Sequence, residues 1–445
     1  MDRLSVGRTH VKIIVAVGLG LFFEIYEIFL SSTISVTLQE QWGLGGLQLQ
    51  LVLASSFVGM FFGAAFLSGL ADRLGRKRAF TLNLVWFSAW TLVAAFAQDP
   101  WMLVAARFLA GVGLGAEYPV ADAYLSDVLP KKNRGKLASY AYTCSFLAVP
   151  FLGFLSLWLA GRSVLEIDGW RWLLVIGSLG AIAVVWIRKG IPESPRWLAE
   201  QGRHEEARQA LHMFAEKSTR ELIAREEAQV DRTLRPPSAD TLKPDTGRLF
   251  KPPYSKRLGM LAIFHSLQTF GYYGFGTMAG LVLVARGYDI TTSLLFVALS
   301  YIGYPVGSLL SAPLLAYLER KYLLVGSITV LGVFGLCFAT SPNSTLIVLF
   351  GFLTTITGQV YSNTFHIYQA EIFPTSIRVT AVGWTYSLSR LSSAAMPFLL
   401  IPVLDNFGAG PMFGMIGIAL AIVVANVLAL GPRTAGRSLE ELNPT

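Results

Sequence analysis

The sequence predicts an all-α membrane protein of twelve transmembrane helices in two pseudo-symmetric six-helix bundles. Three observations carry that prediction. The first is composition. Of 445 residues, 53% are apolar and 14% are charged, and the mean hydropathy is +0.53. A soluble domain carries about 25% charge, so most of this surface meets something other than water. The second is an internal repeat at an offset of 244 positions. Asp127, Pro130 and Arg134 keep the spacing of Glu371, Pro374 and Arg378. Tyr124 and Tyr368 each lie three positions before the acid, and Arg76-Lys77 maps onto Arg320-Lys321. One offset across two separate stretches marks two homologous halves. The third is charge placement. The outer loops hold Arg162, Arg171 and Arg286, Arg107 and Arg390 lie within spans, and the other 31 of the 36 basic residues fall on one side. By the positive-inside rule that side is cytoplasmic and holds both termini.

The spans follow in order at near-spanning length, about 20 residues each. They run roughly over 11–33, 47–70, 79–97, 101–125, 137–160 and 170–188 in the first half. In the second half they run roughly over 258–284, 291–315, 322–340, 345–368, 379–401 and 410–431. The first is too long for a cleavable signal and carries Glu24 and Glu27. The domains are therefore an N-terminal bundle, 1–188, a cytoplasmic linker, 189–257, and a C-terminal bundle with a tail, 258–445. In the linker, Ser194-Pro195 reads as an N-cap followed by proline at the first helical position. Trp197, Leu198, Ala207, Leu211 and Phe214 form an apolar stripe broken by Gly202, which predicts two short amphipathic helices tying the halves together. The Pro236-Pro237 region reads as loose.

Several function classes drop out. There is no zinc spacing, nucleophile elbow or phosphate-binding loop, so neither an enzyme nor a cofactor is expected. The net charge of +8 belongs to the membrane surface rather than to nucleic acid. Gly111-x-Gly113-x-Gly115 lies inside a span with no strand before it, which points to close helix packing instead of dinucleotide binding. Cys144 and Cys337 fall within spans and read as core residues. Two homologous sets of spans around one mid-membrane site are the build of a secondary transporter. The partners expected are a small-molecule substrate, protons and the lipid bilayer, with the protein a monomer in a bacterial inner membrane.

Four motifs resemble the major facilitator superfamily. Gly69-Leu70-Ala71-Asp72-Arg73-Leu74-Gly75-Arg76-Lys77-Arg78 is similar to its loop between helices 2 and 3, and Arg107 to Gly115 is similar to its helix 4 motif. Pro192-Glu193-Ser194-Pro195-Arg196-Trp197-Leu198 and Glu371-Ile372-Phe373-Pro374-Thr375-Ser376-Ile377-Arg378 resemble motifs shared by sugar porters and organic-ion transporters. Gly115-Ala116-Glu117-Tyr118-Pro119-Val120 looks most like bacterial niacin-type transporters, and Tyr272-Tyr273-Gly274 fits that branch. The paired glutamines of sugar porters in helix 7 are missing. Arg433 also stands where the carboxyl-terminal Pro-Glu-Thr of that group would place an acid. The resemblance implies that Asp72, Arg73, Arg76, Arg134, Glu371 and Arg378 form a cytoplasmic latch whose salt bridges break when the inner side opens.

An ionisable side chain within a span costs about 2.5–3.5 kcal/mol on insertion scales, so it faces a cavity or a partner. Glu24 and Glu27 are three apart and share a helix face. They lie about 20–24 Å into the first span at 1.5 Å per residue. Arg107, on the oppositely running fourth span, reaches a similar level. An arginine opposite two carboxylates can hold one ionised while the other picks up a proton, which makes these three the proton-coupling candidates. The bland alternative is a static ion pair. Arg390 lies near mid-depth in the eleventh span, its repeat counterpart is Phe146, and a lone guanidinium suits capture of a carboxylate. The resemblance points the same way, since anion carriers of the organic-ion branch have a basic residue on this helix. Glu117 is a candidate for substrate contact or proton relay, and Asp122 for a gate or packing. Gln268, Tyr272, Tyr273, Gln359, Tyr361, Asn363 and His366 supply polar and aromatic groups at similar depth, and Tyr26 and Tyr118 sit beside the acids. Aromatic walls with few polar groups suit a flat charged ring. The reading is proton-coupled uptake of a small organic anion, such as a nicotinate-like aromatic carboxylate. An organic cation, a sugar and a non-transporting receptor are its alternatives.

Overall fold

Prolines set where the helices of this chain break, and glycines set how closely they pack. The computed structural model describes residues 6–67, 74–130, 134–159, 162–188, 190–214 and 246–434. The first half contains α1 (Arg8–Gln41), α2 (Gly46–Leu67), α3 (Arg76–Ala95), α4 (Pro100–Leu114), α5 (Glu117–Val128), α6 (Arg134–Phe146), α7 (Ala148–Leu159) and α8 (Gly169–Arg188). A hairpin of β1 (Ser163–Val164) and β2 (Ile167–Asp168) lies between α7 and α8. Then follow α9 (Pro195–Glu200) and α10 (His204–Phe214). The second half contains α11 (Tyr254–Leu267), α12 (Thr269–Ala285), α13 (Ile290–Tyr301), α14 (Gly303–Tyr317), α15 (Arg320–Thr340), α16 (Ser344–Glu371), α17 (Thr375–Phe407) and α18 (Ala409–Leu430).

Among the described residues, nine stretches are long and apolar enough to cross a membrane. The other three expected spans fall short for local reasons. α3 opens on Arg76-Lys77-Arg78, and the fourth and seventh spans are split, into α4–α5 and α11–α12. Large apolar side chains such as Trp186, Ile418 and Leu309 lie exposed, as expected where the surrounding solvent is hydrocarbon.

Four spans are broken, three of them one turn ahead of a proline. Residues 119, 150 and 305 are prolines and lack an amide hydrogen, so the carbonyls at Gly115, Phe146 and Tyr301 lose their helical partner. α4, α6 and α13 end at Leu114, Phe146 and Tyr301. The fourth break, at Gln268, has no such proline. Pro313, Pro397 and Pro402 are carried inside helices that continue past them.

The repeat is visible as repeated contacts. A Cβ on Gly59 would stand 2.1 Å from the Phe108 carbonyl oxygen, and one on Gly63 2.0 Å from that of Val112. At the equivalent Gly303 and Gly307 the distances are 2.5 Å to the Phe352 oxygen and 2.4 Å to the Ile356 oxygen. Gly111 and Gly115 complete the first contact from the α4 side, at 2.2 Å from the Ser56 oxygen and 2.1 Å from the Met60 oxygen, while Gly113 abuts α3 at Trp86 and Asn83. Asp99 and its counterpart Asn343 each cap the helix that follows, accepting from Met102 N at 3.0 Å and Leu346 N at 2.9 Å. The halves meet through α2 against α17, α6 and α7 against α14 and α13, and α1 against α12.

At the basic end the same pairing recurs. Tyr124 Oη donates to the Pro192 carbonyl at 2.6 Å, and Tyr368 Oη to that of Pro432 at 2.9 Å. Lys77 Nζ donates to the Ile191 carbonyl at 2.6 Å, and Lys321 Nζ to that of Leu428 at 2.8 Å. Arg76 Nε lies 3.7 Å from Asp127, and Arg320 Nε 3.6 Å from Glu371. Glu193 accepts from the Lys77 amide at 2.9 Å, at the helix N-terminus where an anion is stabilised. Ser194 caps α9, accepting from Trp197 N at 3.1 Å. Trp197, Leu198, Ala207 and Ala210 bury one another, and Phe214 packs on His10 of α1 at 5.2 Å. The described linker helices thus lean on the first half. The Pro236-Pro237 region lies outside the described residues.

Gly111→Ala should be destabilising by about 1–3 kcal/mol, the usual cost of overpacking, because its Cβ would meet backbone rather than a side chain that could yield. Thermal unfolding in detergent measures this, with Gly414→Ala as the control, since nothing lies within 4 Å of a Cβ there. Equal melting temperatures would contradict the packing argument.

Candidate functional site

Two buried arginines account for two of the four acids in the first half. Arg107 of α4 is fully buried and clamps α1. Its Nη1 donates to Glu27 Oε2 at 2.5 Å, Nη2 to the Glu27 carbonyl at 2.7 Å and Nε to Ser31 Oγ at 3.1 Å. The guanidinium is thus satisfied along one turn of α1, and Glu27 has a fixed cation.

The second pair is one the sequence reading missed. Arg188, the last residue of α8, was grouped with the basic residues of the cytoplasmic side, yet it is 1% exposed. Its Nη2 lies 3.7 Å from Glu117 Oε1, and both groups are shielded from solvent. Its guanidinium stacks 3.4 Å over the Phe80 ring and donates to the Phe80 carbonyl at 3.2 Å. Room for it comes from Gly20, where a Cβ would fall 1.7 Å from Nη2. A basic residue closing a span reads as an end-anchor, and only the distant Gly20 and Phe80 reveal that it folds inward. Glu117, a candidate for substrate contact or proton relay, thereby has an arginine partner.

Glu24 differs from Glu27 and Glu117 in having no basic group within salt-bridge distance among the described residues. It is fully buried and, like Glu117, has no hydrogen bond to either carboxylate oxygen. The charged groups facing it are Glu117 and Asp122 of α5, Arg188 of α8 and Arg390 of α17. Arg390, 2% exposed, donates to two phenols, Tyr273 Oη and Tyr386 Oη, both at 3.0 Å. No described acid lies within salt-bridge distance of it. Asp122 is exposed and sits beside the half-buried ring of Tyr142. It accepts a short hydrogen bond from Tyr142 Oη. Tyr118 stacks on Tyr142 with 6.3 Å between centroids. On the side away from Arg76-Lys77 the halves are closed by rings, Phe29 against Tyr301 at 5.7 Å and Tyr304 at 5.5 Å.

Glu24, Tyr118, Tyr273, His366 and Arg390 come together in one central cluster, with Asp122, expected at a gate or in packing, beside them, and the structure adds Tyr142 and Tyr386. Tyr142 and Tyr386 are repeat equivalents, and Tyr386 lies one turn before Arg390. Applying the offset to the whole chain would have found them. Tyr26 is not part of the cluster. It is fully buried, donates to the Leu173 carbonyl of α8 at 2.7 Å and packs on Gly177, which corrects its assignment to the cavity.

The polar residues of α11, α12 and α16 satisfy one another. Tyr361 Oη donates to Gln268 Oε1, and Tyr272 Oη to Gln359 Oε1 at 3.1 Å. Gln359 Nε2 donates to Asn363 Oδ1 at 3.0 Å, and Asn363 Nδ2 to Ser311 Oγ at 2.7 Å. His366 stacks on Phe365 at 4.2 Å and lies 3.4 Å from Gln369 Nε2. Of the latch residues, Arg76 and Glu371 lie in the paired network at the basic end. Asp72 and Arg73 lie outside the described residues, as do the side chains of Arg134 and Arg378.

A profile of the family described as "Sugar (and other) transporter" matches residues 12–445. The chain is 29% identical over 443 residues to the niacin transporter of Acinetobacter baylyi, covering 99% of this chain and 98% of the relative. It is 26% identical over 419 residues to the gentisate transporter of Corynebacterium glutamicum, covering 91% and 84%. A partially occluded inward-open structure of the xylose transporter of Escherichia coli superposes with a TM-score of 0.77. That match has 18% identity and covers 97% of this chain and 100% of that one.

Arg188→Leu should cost about 3–5 kcal/mol of stability, because it strands Glu117 as an uncompensated buried charge. The double variant Glu117→Gln/Arg188→Leu should recover most of that loss. Unfolding curves in detergent for the two singles and the double measure the coupling. Additive losses would mean that the two side chains do not interact.

Proposed function

The chain belongs to the sugar (and other) transporter family, and on that premise we propose that it takes up a small organic anion, an aromatic carboxylate, together with protons. It is an integral membrane transporter and not an enzyme. The observation that carries the anion reading is Arg390, a buried guanidinium whose donors go to the phenols of Tyr273 and Tyr386, with no acid within salt-bridge distance among the described residues. A carboxylate ligand supplies the missing charge in bidentate geometry. The likeness to carriers of niacin and gentisate, both aromatic carboxylates, supports the class. A sugar reading would rest on Gln268, Gln359 and Asn363, but those amides already hydrogen-bond to Tyr361, Tyr272 and Ser311.

Proton coupling falls to Glu24. Glu27 and Glu117 have arginine partners, so their charge is compensated whether or not substrate is bound. Glu24 has none, and an unpaired carboxylate in a dry core is the one whose charge costs most. Glu27–Arg107 then acts as a static stitch between α1 and α4. The two bundles, 1–188 and 258–445, rock about this site in a bacterial inner membrane, with the basic side cytoplasmic. Arg188 ties the site to the latch. It touches Phe80, one turn from Arg76-Lys77, and leads within a few residues into the Ile191–Ser194 strip that Lys77 and Tyr124 hold.

Arg390→Ala should reduce carboxylate binding about 100-fold, the scale of losing a charged hydrogen-bonded pair (about 1.5–3 kcal/mol). Glu24→Gln should abolish gradient-driven accumulation in proteoliposomes while leaving substrate exchange. Retained affinity would remove Arg390 from the site, and accumulation surviving in Glu24→Gln would move coupling elsewhere.

A further inference from the structure

Three basic residues open α3, and the protein itself uses two of them. Arg76 lies 3.7 Å from Asp127, and Lys77 donates to the Ile191 carbonyl at 2.6 Å. The third, Arg78, is exposed, and no described acid lies within salt-bridge distance of it. Glu206 of α10 feels its field but is paired with Arg203 at 2.6 Å. Beyond Arg78, in steps of three and four residues, come Leu82, Val85, Trp86, Ala89, Trp90 and Val93, which line an apolar groove along the outside of α3. Such steps keep residues on one helix face, so the charge stands at the foot of the groove.

The lining is held in place. Trp86 Nε1 donates to the Leu109 carbonyl of α4 at 2.8 Å, and its ring lies 6.2 Å from that of Trp90. Ala89, between them in sequence, is the smallest side chain of the lining. The fold does not require this face. Under the 244-position repeat Arg78 corresponds to Tyr322, Trp86 to Val330 and Trp90 to Phe334, so α15 has neither a basic residue nor an indole on the equivalent face.

The groove is as long as one leaflet is deep. Leu82 to Val93 spans about 16 Å at 1.5 Å per residue, against about 15 Å for one leaflet of the hydrocarbon core. Arg78 lies about 6 Å before Leu82 along the axis, at the depth of a headgroup. Hydrocarbon covers an exposed apolar face within a span, and a cation at its foot favours a headgroup of negative charge. We propose that this face of α3 holds an anionic phospholipid of the leaflet at the basic end, its phosphate on Arg78 and one acyl chain along the groove beside Trp86 and Trp90. The site is separate from the central cluster and independent of what is carried there.

Native mass spectrometry of the purified, delipidated protein reads the first bound lipid during titration with phosphatidylglycerol or phosphatidylcholine of identical chains. Phosphatidylglycerol should bind about fivefold tighter, the scale of one arginine at an anionic surface (about 1 kcal/mol). Arg78→Gln should remove that preference. Ala89→Trp should fill the groove and weaken the first site for both lipids, whereas Ile418→Trp, on the lipid-facing side of α18, should weaken neither. All three positions are exposed, so these variants leave the core intact. Equal affinity for the two lipids in the unmodified protein, or a preference that survives in Arg78→Gln, would overturn the proposal. A first site untouched by Ala89→Trp would overturn it as well, because the chain would then lie elsewhere.

Discussion

A charge in a dry core must have a partner, and the arrangement of this protein follows from how that requirement is met and where it is not. Glu24, Glu27, Arg107, Glu117, Arg188 and Arg390 are all at most 2% exposed. Four of them form two pairs, Glu27 with Arg107 and Glu117 with Arg188. These pairs fix α1 to α4 and α5 to α8. The helices can approach closely enough for such pairing because Gly59, Gly63, Gly111 and Gly115 remove the side chains between α2 and α4. Arg188 needs Gly20 for the same reason. What remains is Glu24 on one half and Arg390 on the other, at the interface where a moving transporter must handle its cargo.

The scaffold is two-fold and the chemistry is not. Glycine contacts, helix caps and the tyrosine bonds at the basic end recur from half to half. Repeated features bear fold and conformational change, because both halves need them. Features present once bear selectivity. By that criterion Arg390 in place of Phe146, Asp122 in place of His366 and Glu24 in place of Gln268 are among the positions where the two halves differ. The Glu117–Arg188 pair is also present once, since the repeat puts Tyr361 opposite Glu117. It lies between the centre and the Ile191–Ser194 strip that Lys77 and Tyr124 hold.

Much of this was legible in the sequence. Apolar spans are long-range averages and survive local exceptions, so the all-α membrane fold was readable although four spans are broken and a fifth opens on three basic residues. The glycine run read correctly as a packing surface because no strand preceded it. The acids and arginines inside spans stood out by their cost in lipid. What the sequence hid depends on partners far along the chain. Arg188 closes a span and looks like an anchor; its burial depends on Gly20, 168 residues earlier. Tyr26 lies beside Glu27 in sequence, but the one-residue step around the helix directs it to the Leu173 carbonyl of α8 instead of to Arg107 of α4. Tyr142 and Tyr386 were within reach, because the repeat that identified the latch also equates them.

The central claim is that Glu24 alone among the buried acids changes protonation, because it alone has no partner. Infrared difference spectra of the purified protein between acidic and alkaline pH test this directly, through the stretching band of a protonated carboxyl group. The account predicts a band in the unmodified protein that disappears in Glu24→Gln and persists in Glu27→Gln. A band that survives in Glu24→Gln and is lost in Glu27→Gln would contradict it, and would return the proton to the pair with Arg107.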